Sequence, residues 1–350
     1  MRSILLGALA ILAIAVGSPS YAQDTEAPAV QEAAAAVETP AAIEASAPPA
    51  GPPFAVEMRR TRGNANVLSA MPRIALMGYN IGAFTYARVT ASSGGSLFGN
   101  SMGARARMDF VLEGIDRARL ERIATLAHDD LVSQLRAAGY EVSAAPEVFA
   151  NGRGANFLAD GGVFEGEEPG TQSELAVVGP EGVGAVGYQG VGRLAVGGGS
   201  GMGAISHELN AILLFPNLAL DFVETSGSGN RSFGNRANVE GGARFSVDPM
   251  SKVEVFFSRS GRGFFDGWAT LQVPSASAVD DEFASMVQTG ASNNNAIAAI
   301  SGILGAPMQS ARRRAHTVSA DPDKYEELAL RAARGFNAAI VAQIRSARGG

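Results

Sequence analysis

Six residues pose the chemical question first. Gly182, Gly184 and Gly187 form GxGxxG within "GPEGVGAVGYQGVGRLAVGGGSGMGAIS", the spacing at which backbone amides approach the pyrophosphate of a dinucleotide. His128, His207 and His316 are the only imidazoles in the chain, the side chains whose ordinary pKa suits proton transfer near neutrality. A nucleotide cradle needs a strand before its glycines and a helix directly after them, because the helix N-terminus supplies the amides and the positive dipole end that hold phosphate. "ELAVVGPE" can be that strand. Gly187, however, runs into "YQGVGRLAVGGGSGMG", and each glycine costs a helix about 1 kcal/mol. Glu208, at the distance of a ribose-binding acid, precedes an apolar strand instead of ending one. Residues 179–206 therefore read as a flexible connection, and no nucleotide is assigned.

Nor do the histidines build a recognisable centre. His128 stands beside Asp129 and Asp130 in a helical stretch, but its i+4 position is Val132, so a solvated helix face is expected. His207 and Glu208 begin HExxH, and Ala211 occupies the place of the second histidine. His316 follows "ARRR" and reads as part of a solvated loop. Around Ser200 the nucleophile-elbow pattern GxSxG fails, with Met202 where the second glycine is required. The phosphate-loop pattern GxxxxGK[ST] is absent, and SxxK fails because Pro249 and Asp321 stand three residues before the only lysines, Lys252 and Lys324. Glu165, Glu167 and Glu168, and separately Asp280, Asp281 and Glu282, lack the alternating ligand spacing of a calcium loop. Arg312, Arg313 and Arg314 form a short basic run whose pull on anionic lipid or glycan is weak and salt-sensitive. No catalytic, cofactor-binding or metal-ligating residue is assigned.

The elements that carry these residues follow from periodicity. "RIALMGYNIGAFTYARVTA" and "ARARMDFVLEGI" read as the two strands of a long β-hairpin with a mobile, Gly-rich tip. From Asp116 to Ala138, Leu120, Ile123, Ala127, Leu131 and Leu135 recur at helical spacing, with Asp116 as N-cap and Gly139 closing the end. "YEVSAAPEVF" follows as a strand, and Asn151 to Gly170 as a loop. "LNAILLFPNLALDFVE" is a buried strand that Pro216 is expected to bend or end. "ARFSVD", "KVEVFFS" and "GWATLQVP" alternate as an antiparallel meander with "DPMS" and "SGRGFFD" as turns, and 280–288 is a candidate short helix. A second long helix opens at Asp321 and Pro322 and carries Tyr325, Leu328, Ala332, Phe336, Ala339 and Ile340 on one stripe. The expected fold is α+β or α/β: one mixed sheet, two long amphipathic helices and an antiparallel meander.

Composition supplies the compartment. Arg2, the apolar run Ile4–Val16 and the small residues Ser20 and Ala22 have the layout of a secretory signal peptide cut after residue 22. Residues 23–55 are an Ala/Pro/Glu-rich linker without the apolar content to form a core, and 56–346 form one globular domain. The absence of cysteine removes disulfides, thiolate metal sites, thiol nucleophiles and lipid attachment through a cysteine. A net charge of -6 without a concentrated basic face argues against nucleic-acid binding.

The order "RIALMGYNIGAF", "LERIATLAHDDLVSQLRAAGYEV", apolar strands and a closing helix resembles the α/β domain shared by the curli-secretion channel lipoprotein and the penicillin-binding-protein activator lipoproteins, over 73–142 and more loosely over 209–344. The resemblance implies that fold and an envelope setting, and it carries across no site residue. Those proteins are anchored through a lipidated cysteine, which this chain lacks. The expectation is a non-enzymatic periplasmic or secreted protein that binds an envelope protein or itself, with at most peripheral membrane contact. An envelope hydrolase with a site assembled from distant residues and a secretion-channel subunit are the alternatives.

Overall fold

The computed structural model describes residues 51–92, 105–150, 152–159, 163–164, 166–169, 173–187, 199–230, 236–261, 266–293 and 311–349, all within the compact unit Pro48–Gly350. The expected signal peptide, most of the linker, the first hairpin's tip and 294–310 lie outside the described residues. The strands are β1 Arg59–Gly63, β2 Arg73–Leu76, β3 Asn80–Ser92, β4 Arg105–Glu113, β5 Val142–Ser143, β6 Val163–Phe164, β7 Gly166–Pro169, β8 Ser173–Val178, β9 Ala185–Val186, β10 Ala211–Asn230, β11 Arg236–Val247, β12 Lys252–Phe257, β13 Gly267–Gln272, β14 Ser277–Ala278, β15 Ala284–Asn293 and β16 Ala311–Ala320. The α-helices are α1 Arg117–Ala137, α2 Ala145–Phe149, α3 Gly152–Ala159, α4 Gly199–Leu209 and α5 Pro322–Arg348. The fold is α+β. A 14-stranded mixed sheet runs β1-β13-β12-β10-β3-β4-β16-β15 with short branches, while β6 and β9 pair apart from it.

Strand β10 is the spine, and its composition explains its place. Ile212, Leu214, Leu218, Leu220 and Phe222 face the core beneath α1 and α5, whereas Ala211, Leu213 and Phe215 face a smaller cluster with Val148, Phe157, Met202 and Ile205 from α2, α3 and α4. A strand covered on both faces reads as a continuous apolar run. Pro216 does not end it. Pairing to β2 stops at Leu214↔Leu76 and pairing to β3 starts at Asn217↔Asn80. The Leu214 carbonyl accepts from Met77 N–H on that edge at 2.9 Å, and the position two residues on falls in the gap between β2 and β3, where no donor is required. Nor is "DPMS" a hairpin turn: β11 and β12 both run antiparallel to β10, opposite 220–230 and 213–217 in turn, so the meander consists of β10, the broken strand β11/β12, and β13.

Helices α1 and α5 begin where their caps predict. The Asp116 carboxylate accepts from Arg119 N at 2.7 Å, and that of Asp321 from Asp323 N and Lys324 N at 3.0 and 3.1 Å. Between the helices, Tyr79 Oη donates to Asn337 Oδ1 at 2.9 Å, and Asn337 Nδ2 donates to Ala127 O and Asp130 Oδ2 at 2.9 and 2.8 Å, satisfying a fully buried amide. The chain segment entering the domain is laced along α5. Arg331 Nε donates to Pro52 O, Phe54 N to Arg331 O, Gln343 Nε2 to Met58 O and Arg348 Nε to Leu68 O. Phe54 is buried and meets the Phe245 ring edge-on at 6.0 Å, so the packed domain begins ahead of the expected boundary at 56.

Four local expectations are corrected. "YEVSAAPEVF" holds only a two-residue strand before α2, because Pro146 suits a first helical turn and Glu147 Oε2 accepts from Ala144 N. Within 151–170, α3, β6 and β7 replace the loop. Helix α4 forms through Gly199, Gly201 and Gly203, since burial of Met202, Ala204, Ile205 and Ser206 outweighs poor propensity. Residues 284–288 belong to strand β15 and not to a helix.

Candidate interaction edge

The end of the sheet opposite β1 is built late in the chain. Strand β16 pairs in parallel with β4 over nine registers, from Ala311↔Arg105 to Ser319↔Glu113. Strand β15 then pairs antiparallel with β16, with a bulge between Gln288 and Gly290. Among the described residues β15 has no strand on its outer side. Native edge strands are commonly protected by charge, proline or a cover. From Ala284 to Asn293 there is no charged residue and no proline, and Met286 and Val287 are 38% and 58% exposed. Chemically this edge offers a row of amides and carbonyls for strand addition, flanked by apolar contacts.

Behind that edge sits His316, a buried strand residue and not the solvated loop position expected. Its ring stacks on Phe110 at 5.4 Å, and neither ring nitrogen has a hydrogen-bond partner. Burial, and then the charge of Arg314, push its pKa down. The tip of Phe110 also abuts β11, where a methyl group on Gly241 would lie 2.6 Å from its Cζ. His128 is likewise buried instead of solvated. Its Nε2 accepts from Ala145 N at 3.2 Å and its Nδ1 lies 2.9 Å from Asp129 Oδ1, so it pins α2 to α1. His207 is exposed on α4, and the three imidazoles stand on three different elements, α1, α4 and β16.

The glycine motif has a conformational explanation. Gly182, Gly184 and Gly187 have φ of +75°, +76° and +69°, a region that residues with a Cβ rarely adopt. Three of the loop's amides are occupied: Val183 N and Gly184 N donate to Pro180 O at 3.0 Å, and Glu181 N donates to Thr125 Oγ1 at 2.9 Å. Asn80 Nδ2 takes the Val186 carbonyl at 2.8 Å and Asn217 Oδ1 at 2.7 Å, locking the loop onto the spine. The next described helix, α4, starts at Gly199, away from the glycines.

Of the charged groups, Asp280 and Asp281 serve as partners of Arg244 and Arg331 at 2.8 and 2.6 Å. Glu167 and Glu168 lie in β7, and Glu165 is outside the described residues. Ser200 falls in the first turn of α4. No cluster of metal-ligating side chains occurs among the described residues, and no helix there is long and apolar enough to cross a membrane. The edge at Met286 and Val287 was missed by motif reasoning. Its signal is the uncharged run from Phe283 to Ser310. No protein-family model, curated protein or solved structure matches the chain.

Proposed function

We propose that this chain is an exported envelope protein that acts without catalysis, joining an envelope partner protein or a second copy of itself by strand addition at β15. The supporting observation is the uncharged outer edge of β15 with Met286 and Val287 exposed. The occupied amides of the glycine loop favour this reading over nucleotide chemistry. Sedimentation velocity and hydrogen exchange on the chain beginning at Gln23 test it. Association with protection of the β15 amides is expected, and Val287→Lys should weaken it more than tenfold while leaving unfolding midpoints unchanged. The reading is overturned if β15 amides exchange freely both in the purified protein at high concentration and in envelope extracts.

A further inference from the structure

The face beside the β15 edge bears on what can pair there. Tyr86 stands opposite Val111, Val111 opposite Thr317 and Thr317 opposite Val287, so β3, β4, β16 and β15 each place one residue in a single row across the sheet. Their chain neighbours Phe110 and Val318 are fully buried in the main core, and successive strand residues point to opposite faces, so the row lies on the face turned away from that core. Val111 is 42% exposed and Val287 58% exposed, with Tyr86 and Thr317 half-buried. A lone exposed valine requires no explanation. Two in one cross-strand row, the outer one on a strand without a neighbour on its far side among the described residues, make a stripe that stops at the sheet edge.

Charge limits what can continue that stripe. Asp280, Asp281 and Glu282, all exposed, precede β15, and the bulge between Gln288 and Gly290 interrupts it. The regular edge between them, 284–288, is uncharged. At the other end of the sheet, β1 is exposed and carries Arg59, Arg60 and Arg62. Docking β15 there would desolvate guanidinium groups against a neighbouring backbone, which disfavours head-to-tail growth. A second β15 carries no such cost. Antiparallel pairing of two copies about a two-fold axis perpendicular to the sheet keeps like faces on one side, so one residue of the strand must stand opposite itself. With Val287 on the axis, the row continues through Val287, Thr317, Val111 and Tyr86 of the second copy. The same register sends the acids at 280–282 of the two copies to opposite ends of the seam.

Resting on strand addition at β15, we infer that the occupant of this edge is a second copy of the chain, paired antiparallel with Val287 on the two-fold axis, and that the assembly closes at two.

The chain has no cysteine, so Val111→Cys, away from the seam, takes a single nitroxide label. Five strand spacings separate the two labels in the pair, and pulsed dipolar spectroscopy on the labelled chain beginning at Gln23 should give one distance near 24 Å, at about 4.8 Å per spacing. Sedimentation velocity should show no species above two copies. Val287→Lys and Val287→Glu should each weaken association by about tenfold or more, because each sets like charges face to face, and an equimolar mixture of the two should restore it. Circular dichroism verifies both folds, and the Val111 label, with the seam unaltered, decides the matter if either variant misfolds. Absence of self-association at high concentration, a series of larger species, a distance far from 24 Å, or folded Lys and Glu variants that stay apart when mixed each overturns the inference. Strand addition itself survives those outcomes if the β15 amides are protected in envelope extracts, and falls with the inference if they exchange freely there as well.

Discussion

The two ends of one sheet are finished in opposite ways. At the β1 end, "RRTRG" presents five exposed residues, three of them arginine, and the segment around β1 is laced to α5 through Arg331, Gln343 and Arg348. At the β15 end the outer strand carries no charge, pairs among the described residues with β16 alone, and exposes Met286 and Val287. Charge on an edge strand disfavours the approach of another strand, because a guanidinium would be desolvated against a neighbouring backbone. One end is therefore closed to pairing by charge and bracing, and the other is left open among the described residues. The difference gives bracing to the first region, and it is at the second that association is proposed.

Removing the lacing should produce the largest effect. Deleting 23–50 is expected to leave the unfolding midpoint nearly unchanged, whereas extending the deletion through Ala55 removes Phe54 from the core and should cost about 3–5 kcal/mol. Urea denaturation of the two truncations checks this. An equal midpoint for both would show that the braced end owes nothing to Phe54, despite a geometry in which a methyl group on Gly335 would lie 2.2 Å from the Phe54 carbonyl oxygen.

A smaller effect distinguishes the two regions by pH. Asp221, on β10, is pushed up to about 6 by burial, against the hydrogen bonds it accepts from Val223 N and Phe222 N. Its folded pKa exceeds its unfolded one, so the native state holds the proton more tightly. Stability from this group is full below the ordinary carboxylate range and is lost as pH rises through about 6. Asp221→Asn keeps an acceptor at Oδ1 and should therefore gain about 2–3 kcal/mol at pH 7.5 relative to the parent, with little gain at pH 4. A flat parental profile over that range would contradict the assignment.

His316 gives the shallowest dependence, with the reverse sign. Its folded pKa lies below the ordinary imidazole value because burial and Arg314 both oppose a charged ring. The stability it supports is present above the ordinary imidazole pKa and is lost as pH falls below it, since the unfolded chain takes up the proton first. His316→Phe preserves stacking on Phe110 and removes the titration. Hydrogen exchange should show the β15–β16 amides of the parent, but not of the variant, opening more readily at acid pH. Equal exchange in the two proteins would show that the open end is insensitive to the ring behind it.

The long elements were legible because each is dictated locally. Asp116 and Asp321 cap α1 and α5, the helical stripes meet the core, and the double-sided apolar run of β10 declares a central strand. Short pieces were not, because their state is decided by what they pack against. Helix α4 survives three glycines through burial, and β15 is a strand because β16 is beside it. Histidine environments failed for the same reason: His128 and His316 look solvated beside charged neighbours, yet each lies beneath an element distant in sequence.

By itself the amino-acid sequence determined the α+β composition, the two long helices, the central strand and the lack of thiol chemistry, since these follow from periodicity, caps and residue count. Only the tertiary structure decided which sheet edge is left unpaired among the described residues, that Pro216 falls in a gap of the ladder, and that β16 lies in parallel beside β4. Register between strands more than 200 residues apart is set by the closing of the whole sheet, and no local pattern encodes it.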